Sequence, residues 1–182
     1  EEGTYWGISG LPANEKRDAY SCLHQRGAST ICTENYGISS ELCIVVPRKA
    51  NCELWSLKVK NTTDRKRNIR AIVFFGSNFD EAYTRQGYNV GVARFEQSLN
   101  GIVSEGKKAF DGVKRALCYG FMAASETVDG YDCTHNAIIG PYGSFAYPVI
   151  LQRGSCSNTN GCGEKLGFAL EKQMTLEAGE VK

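Results

Sequence analysis

An all-β, antiparallel β-sandwich is the fold class this sequence predicts, on three observations. Strand-like runs recur about every 8–12 residues with turn formers between them. No window of about ten residues or more keeps a capped 3.6-residue hydrophobic period. The third observation is the stretch 52–76. Its first arm alternates, with Trp55, Leu57 and Val59 on one side and Ser56, Lys58 and Lys60 on the other, the period of a half-buried strand. Its second arm ends in the apolar run 71–75, the pattern of a strand covered on both faces. The polar residues 61–65 between them predict a turn, so the two arms are expected to pair as an antiparallel hairpin. Trp55 is then a core residue, Arg65, Lys66 and Arg67 form the solvated hairpin end, and the other strands are built beside this pair.

In chain order, residues 4–9 suggest a short first strand with an aromatic anchor, and 11–17 a polar connector. Residues 18–24 alternate weakly and lead into a strand over 28–33. Asn35-Tyr36-Gly37 marks a turn before a clear strand over 38–46, which Pro47 ends because proline cannot donate to a ladder. The segment 77–89 keeps neither period, and long loops are disproportionately functional. Strand signals resume over 90–97, and Asn100-Gly101 is a strong hairpin signal. The runs 102–110 and 115–124 extend the meander around Asp111-Gly112. Residues 126–132 read as a polar turn, 134–147 as irregular and aromatic-rich, and 148–152 as a helical turn or short strand. A polar glycine loop over 153–163 precedes a strand over 167–176, and 177–182 reads as a further turn.

A chain of 182 residues suits one domain over 1–182 with a substantial core. The formal net charge of +1 predicts no partnership with nucleic acid or anionic membrane, and no basic stripe is interleaved with aromatics. No apolar run approaches the roughly 20 residues that span a bilayer, and no signal-peptide pattern opens the sequence. The eight cysteines include no C-x-x-C pair, and with two histidines there is no zinc-ligand spacing, so no metal is expected. Cysteines within apolar strands behave as small hydrophobes, which predicts reduced thiols and a cytoplasmic location. Cys156 and Cys162, in a polar loop, are the pair for which a bridge stays open.

Candidate chemistry is sparse. Neither His24 nor His135 has a nucleophile elbow nearby, and a structural or surface role is the simpler reading. Asp129 with Asp132, and Asp80 with Glu81, are conceivable carboxylate pairs, but acids beside glycine are more often turn formers. Asn61-Thr62-Thr63 matches a glycosylation sequon and reads simply as a turn. The 153–163 loop lacks the spacing of a phosphate-cradling loop. No catalytic residue is therefore assigned. Aromatic rings beside planar polar groups suit the C–H faces and hydroxyl edges of sugars. That points to Asn78, Arg85, Gln86, Tyr88, Asn89 and Tyr142 as substrate-binding candidates, against the alternative of ordinary loop packing.

Several motifs occur in order: Y-x-C-x-H-x-x-G (Tyr20, Cys22, His24, Gly27), G-I-x-x-E…V-P over 37–47, and E-L-W-S-L-K-V-K-N-T-T-D-R-K-R over 53–67. I-I-G-P-Y-G-S-F-A-Y-P over 138–148, R-G-S-C-S-N over 153–158 and L-E-A-G-E-V-K over 176–182 follow. Together they resemble the N-terminal domain of cellobiose and chitobiose phosphorylases, inverting glycoside phosphorylases with related modules in cyclic β-glucan synthases. The sequence departs from that pattern at Leu23, where the family usually has arginine, and at T-R-Q-G-Y-N over 84–89.

The resemblance implies a supersandwich, galactose-mutarotase-like, without its helical barrel. It implies a parent enzyme that splits a β-linked disaccharide, or a related oligosaccharide, with inorganic phosphate as co-substrate and no other cofactor. Within it, this chain would be a non-catalytic domain that partners the helical catalytic domain, supports a homodimer and lends loops to the sugar site. The alternatives from other classes are a free-standing carbohydrate-binding sandwich and a purely structural interaction domain.

Overall fold

The computed structural model describes residues 3–9, 17–76, 91–110 and 114–182. Among these residues the regular structure is almost entirely strand. The first sheet is an antiparallel meander of β1 (Ala19–Gln25), β2 (Ala28–Asn35), β3 (Ile38–Val45) and β4 (Leu54–Asn61), in that order. The next strand, β5 (Arg67–Gly76), belongs to a different sheet. The second sheet comprises β6 (Val92–Glu96), β7 (Gly101–Phe110), β8 (Lys114–Ala123) and, after β9 (Gly130–Thr134), β10 (Gly161–Cys162), in the order β10-β6-β7-β8. The third sheet has the order β5-β11-β9, where β11 spans Leu166–Leu176. The two helices described, α1 (His135–Ile138) and α2 (Val149–Arg153), are single turns. The all-β antiparallel class therefore stands, and no helix of the described residues is long and apolar enough to cross a membrane.

The chain divides into two compact units, Glu1–Ile69 with Met174–Lys182, and Arg70–Gln173. In the first unit Ile38, Val59 and Leu176 form the buried core, with Trp6, Leu57, Ile69 and Met174 packed against it. Alternation places Trp55, Leu57, Val59 and Asn61 on one face of β4, as expected, but burial is graded along it. Val59 is 4% exposed while Trp55 is 47% exposed. Trp55 is thus not core. Its indole Nε1 instead donates to Glu53 Oε2 at 2.8 Å. The apolar partners gather at the opposite end of the strand, around Ile38 and Leu176.

The expected hairpin does not form, because β4 and β5 lie in different sheets. Asn61, wholly buried, decides this locally. Its Oδ1 accepts from the Thr63 backbone N–H at 3.0 Å and from Thr63 Oγ1 at 2.6 Å, a side-chain turn that competes with a simple strand reversal. Its Nδ2 donates to the carbonyls of Arg65, Leu176 and Glu177 at 2.7, 3.2 and 3.0 Å. The C-terminal segment takes the edge of β4: Val59 N–H donates to Lys182 O at 2.7 Å, Lys182 N–H to Val59 O at 2.9 Å, and Asn61 N–H to Glu180 O at 3.0 Å. A fully bonded side-chain amide is a packing element, so the sequon is no sugar acceptor in this fold. Arg67 is also not solvated. It is buried and donates through Nη1 to Tyr36 O at 2.8 Å.

Two further expectations are corrected. Residues 4–9 form no strand. The apolar run 71–75 is only half-buried, with Phe75 40% exposed, because β5 lies at the margin of its three-stranded sheet. Strands near 28–33, 38–46, 102–110, 115–124 and 167–176 appear where alternation places them, as β2, β3, β7, β8 and β11. The Asn100-Gly101 signal is borne out between β6 and β7. Asn100 sits in the left-handed region at φ 47°. Its side chain bonds Ala124 O, Glu126 O and Val128 N–H. The expected turn at Asp111-Gly112 lies outside the described residues.

Candidate functional site

The second unit holds the two motifs with the densest chemistry, R-G-S-C-S-N and I-I-G-P-Y-G-S-F-A-Y-P. Asp132 on β9 is wholly buried. Its Oδ2 accepts from Arg153 Nη2 at 2.8 Å. Its Oδ1 accepts from Ser157 N–H at 3.0 Å, Ser157 Oγ at 2.6 Å and Thr159 N–H at 3.2 Å. Arg153, at the end of α2, also donates through Nε to Ser155 O at 2.7 Å. Glu171 on β11, 2% exposed, meets Arg70 Nε at 2.7 Å and accepts the Cys156 N–H at 2.6 Å. Two buried carboxylates thus pin one loop from two strands.

This arrangement excludes Asp132 as a general acid or nucleophile, since both oxygens are occupied by protein donors in a closed site. Asp129, its suggested partner, accepts from Gln173 N–H at 2.7 Å on a turn. Asp132, read from the sequence as a turn former, is instead a buried anchor within β9. The signal that would have found it is the loop itself. A run with one arginine and many backbone donors needs a buried acceptor. Asp80 and Glu81 lie outside the described residues.

The second motif forms a loop that follows α1 in the chain. Thr134 Oγ1 caps that helix by accepting Ala137 N–H at 3.1 Å, the ordinary role of a threonine N-cap. Ile138, Ile139 and Ile150 are buried at the two roots of the loop. Val149 N–H closes onto Ile139 O at 3.2 Å, and Gln152 Nε2 onto Tyr147 O at 2.8 Å. Gly140 has φ +96°, and a Cβ at Gly143 would overlap the Ile139 carbonyl, so both glycines are needed for the turn. From this fixed root the loop presents Phe145 and Tyr147, 54% and 68% exposed, and Tyr142, which is fully exposed.

Beside the loop, Phe74, Phe75, His135, Ile138, Ile139 and Phe145 line an open hollow that encloses only about 10 Å³. Sites that enclose a small molecule start at about 300 Å³, so the hollow is a surface feature. Burial pushes the His135 imidazole down, and Lys165 adds to this. Burial likewise pushes the Cys133 thiol up to about 12, with Asp132 contributing. Cys156 is pushed higher still, by burial first and then by Asp132 and Glu171. All eight cysteines are free thiols, Cys156 and Cys162 included. No group of three or more His, Cys, Asp or Glu among the described residues is arranged to hold a metal.

Of the substrate-binding candidates, the structure therefore places Tyr142 on an exposed loop with buried roots. Asn78, Arg85, Gln86, Tyr88 and Asn89 lie outside the described residues. Phe145 and Tyr147, from the same aromatic-rich stretch, accompany Tyr142.

The family model for the glycosyl hydrolase 94 supersandwich domain matches residues 1–182. The chain is 27% identical over 193 residues to an N,N'-diacetylchitobiose phosphorylase of Vibrio proteolyticus, covering 99% of this chain and 23% of that protein. It is 29% identical over 181 residues to a solabiose phosphorylase of Paenibacillus borealis, with the same coverage of 99% and 23%. A 3-O-beta-D-glucopyranosyl-beta-D-glucuronide phosphorylase of the same organism is 26% identical over 188 residues, again covering 99% and 23%. The chain thus spans about a quarter of the length of these curated relatives.

Proposed function

The chain belongs to the glycosyl hydrolase 94 family as its supersandwich domain, and on that premise we propose that it is the non-catalytic N-terminal domain of a glycoside phosphorylase. Its parent transfers a hexosyl group from a β-linked disaccharide to inorganic phosphate, and a separate helical domain carries the chemistry. The supporting names are those of the relatives, each a phosphorylase of a different saccharide. In this reading the domain supports a cytoplasmic homodimer, consistent with free thiols, and helps to close the sugar site.

The observation that carries a sugar-facing role is the aromatic loop, rooted by Ile138, Ile139 and Ile150 and presenting Tyr142 wholly to solvent. A rigid ring offers a hydrophobic face at little entropic cost on binding. Asn78, Arg85, Gln86, Tyr88 and Asn89 are proposed alongside it on sequence grounds as hydrogen-bonding groups for hydroxyls. In the intact parent, Tyr142→Ala is expected to lower kcat/KM for the saccharide by about 1 kcal/mol, roughly fivefold, with an unchanged melting temperature. The 182-residue chain alone, given disaccharide and phosphate, is expected to yield no sugar 1-phosphate. Turnover by that chain, abolished by replacing one of its own acids, would overturn the non-catalytic assignment. Unchanged kinetics in the Tyr142 variant would leave the loop a packing element.

A further inference from the structure

The motif Y-x-C-x-H places Tyr20, Cys22 and His24 on one face of β1, because successive alternate residues of a strand share a face. On that face the side chains form a connected row. Cys22 Sγ lies 3.3 Å from His24 Nε2. His24 Nδ1 lies 2.9 Å from Oγ of Ser29, its cross-strand partner on β2. With the proton on Nδ1 donated to Ser29, Nε2 is left as an acceptor for the thiol proton. Tyr20 lies on the same face, and the neighbouring Cys22 raises its phenol above the ordinary value, first through hydrogen bonding. The Arg17 guanidinium sits 4.7 Å over the Tyr20 ring. A nucleophile, a base within reach of its proton and a third group orienting the base are the parts of an activated thiol.

We propose that Cys22 is a reversible modification site, forming mixed disulfides with low-molecular-weight disulfides, with His24 as its base. The imidazole Nε2 takes the thiol proton, and Sγ attacks one sulfur of the small disulfide. The S–S bond of the reagent breaks as the Cys22 S–S bond forms. The departing thiolate takes the proton from the imidazolium, so the protein sulfur is oxidised and the leaving half is reduced. Cys22 is partly exposed, and His24 and Ser29 lie at the surface, so a reagent of this size has access. Cys133 and Cys156 differ in kind, since burial and neighbouring carboxylates disfavour their thiolates. Cys162 is exposed and no histidine contact is described for it, so it serves as the internal reference. The inference does not depend on the phosphorylase reading.

The test treats the intact protein with oxidised glutathione at neutral pH and follows each cysteine by peptide mass mapping. Cys22 is expected to react about tenfold or more faster than Cys162. His24→Gln should bring Cys22 down to the Cys162 rate without changing Cys162 itself. Ser29→Ala, which removes only the orienting group, should give an intermediate rate and provides the readout if His24→Gln fails to fold. Equal rates at Cys22 and Cys162, or a Cys22 rate indifferent to both substitutions, would overturn the proposal. Reversal by a small thiol, with recovery of free Cys22, completes the expected result.

Discussion

Arg153 Nη2 lies 2.8 Å from Oδ2 of Asp132, a carboxylate with no exposed surface, and this contact joins the end of α2 to β9. Asp132→Ala would strand the guanidinium and the Ser157 and Thr159 N–H donors together. The loss of stability is expected to be roughly 3–5 kcal/mol, as for other buried pairs deprived of one partner. Denaturant unfolding of the variant measures it, and a loss below about 1 kcal/mol would show that water replaces the carboxylate.

Gly143→Ala tests whether the aromatic loop is built rather than merely exposed. The new Cβ would overlap the Ile139 carbonyl, which is backbone and cannot swing aside. A destabilisation of about 1–3 kcal/mol is expected. If the domain serves a saccharide site as proposed, the kinetics of the intact enzyme should change as predicted for Tyr142→Ala, whereas Gly163→Ala, where no atom lies within 4 Å, should meet only the backbone strain of its positive φ.

Trp55 and Leu176 provide a paired test of where the first unit keeps its core. Leu176, fully buried, should cost about 2–5 kcal/mol on replacement by alanine. Trp55→Ala should cost under about 1 kcal/mol, despite the larger side chain removed. Comparable losses at both sites would restore Trp55 to the core.

Alkaline pH should weaken the fold through Cys133. Its folded-state value is raised to about 12 from an ordinary 9.0, so the native thiol holds its proton after the unfolded one has lost it. The stabilisation is complete below pH 9.0 and is lost as pH rises towards about 12. Within that window the slope reaches at most about 1.4 kcal/mol per pH unit. Melting temperatures between neutral pH and pH 10 should fall less in Cys133→Ala than in the parent sequence. Parallel curves would remove Cys133 from the alkaline transition.

Among the described residues, the sequence by itself determined the strand content, most strand positions and the lack of long helices. Those follow from period-two alternation and turn chemistry, which act over a few residues. The ordered motifs also sufficed for the family. Pairing was decided only by the tertiary structure. Any strand edge offers the same row of N–H and C=O groups, so β4 could be completed by β5 or by the segment ending at Lys182, and the bonds from Asn61 to Leu176 and Glu177 select the latter. The same holds for burial along a strand. Trp55 and Val59 share one alternating face, and only the position of Leu176 makes one of them core. Asp132 shows the longest reach. Its donors lie 21 to 27 residues further along the chain, so a residue that reads locally as a turn former becomes, once β9 and the following loop meet, the buried anchor of a motif.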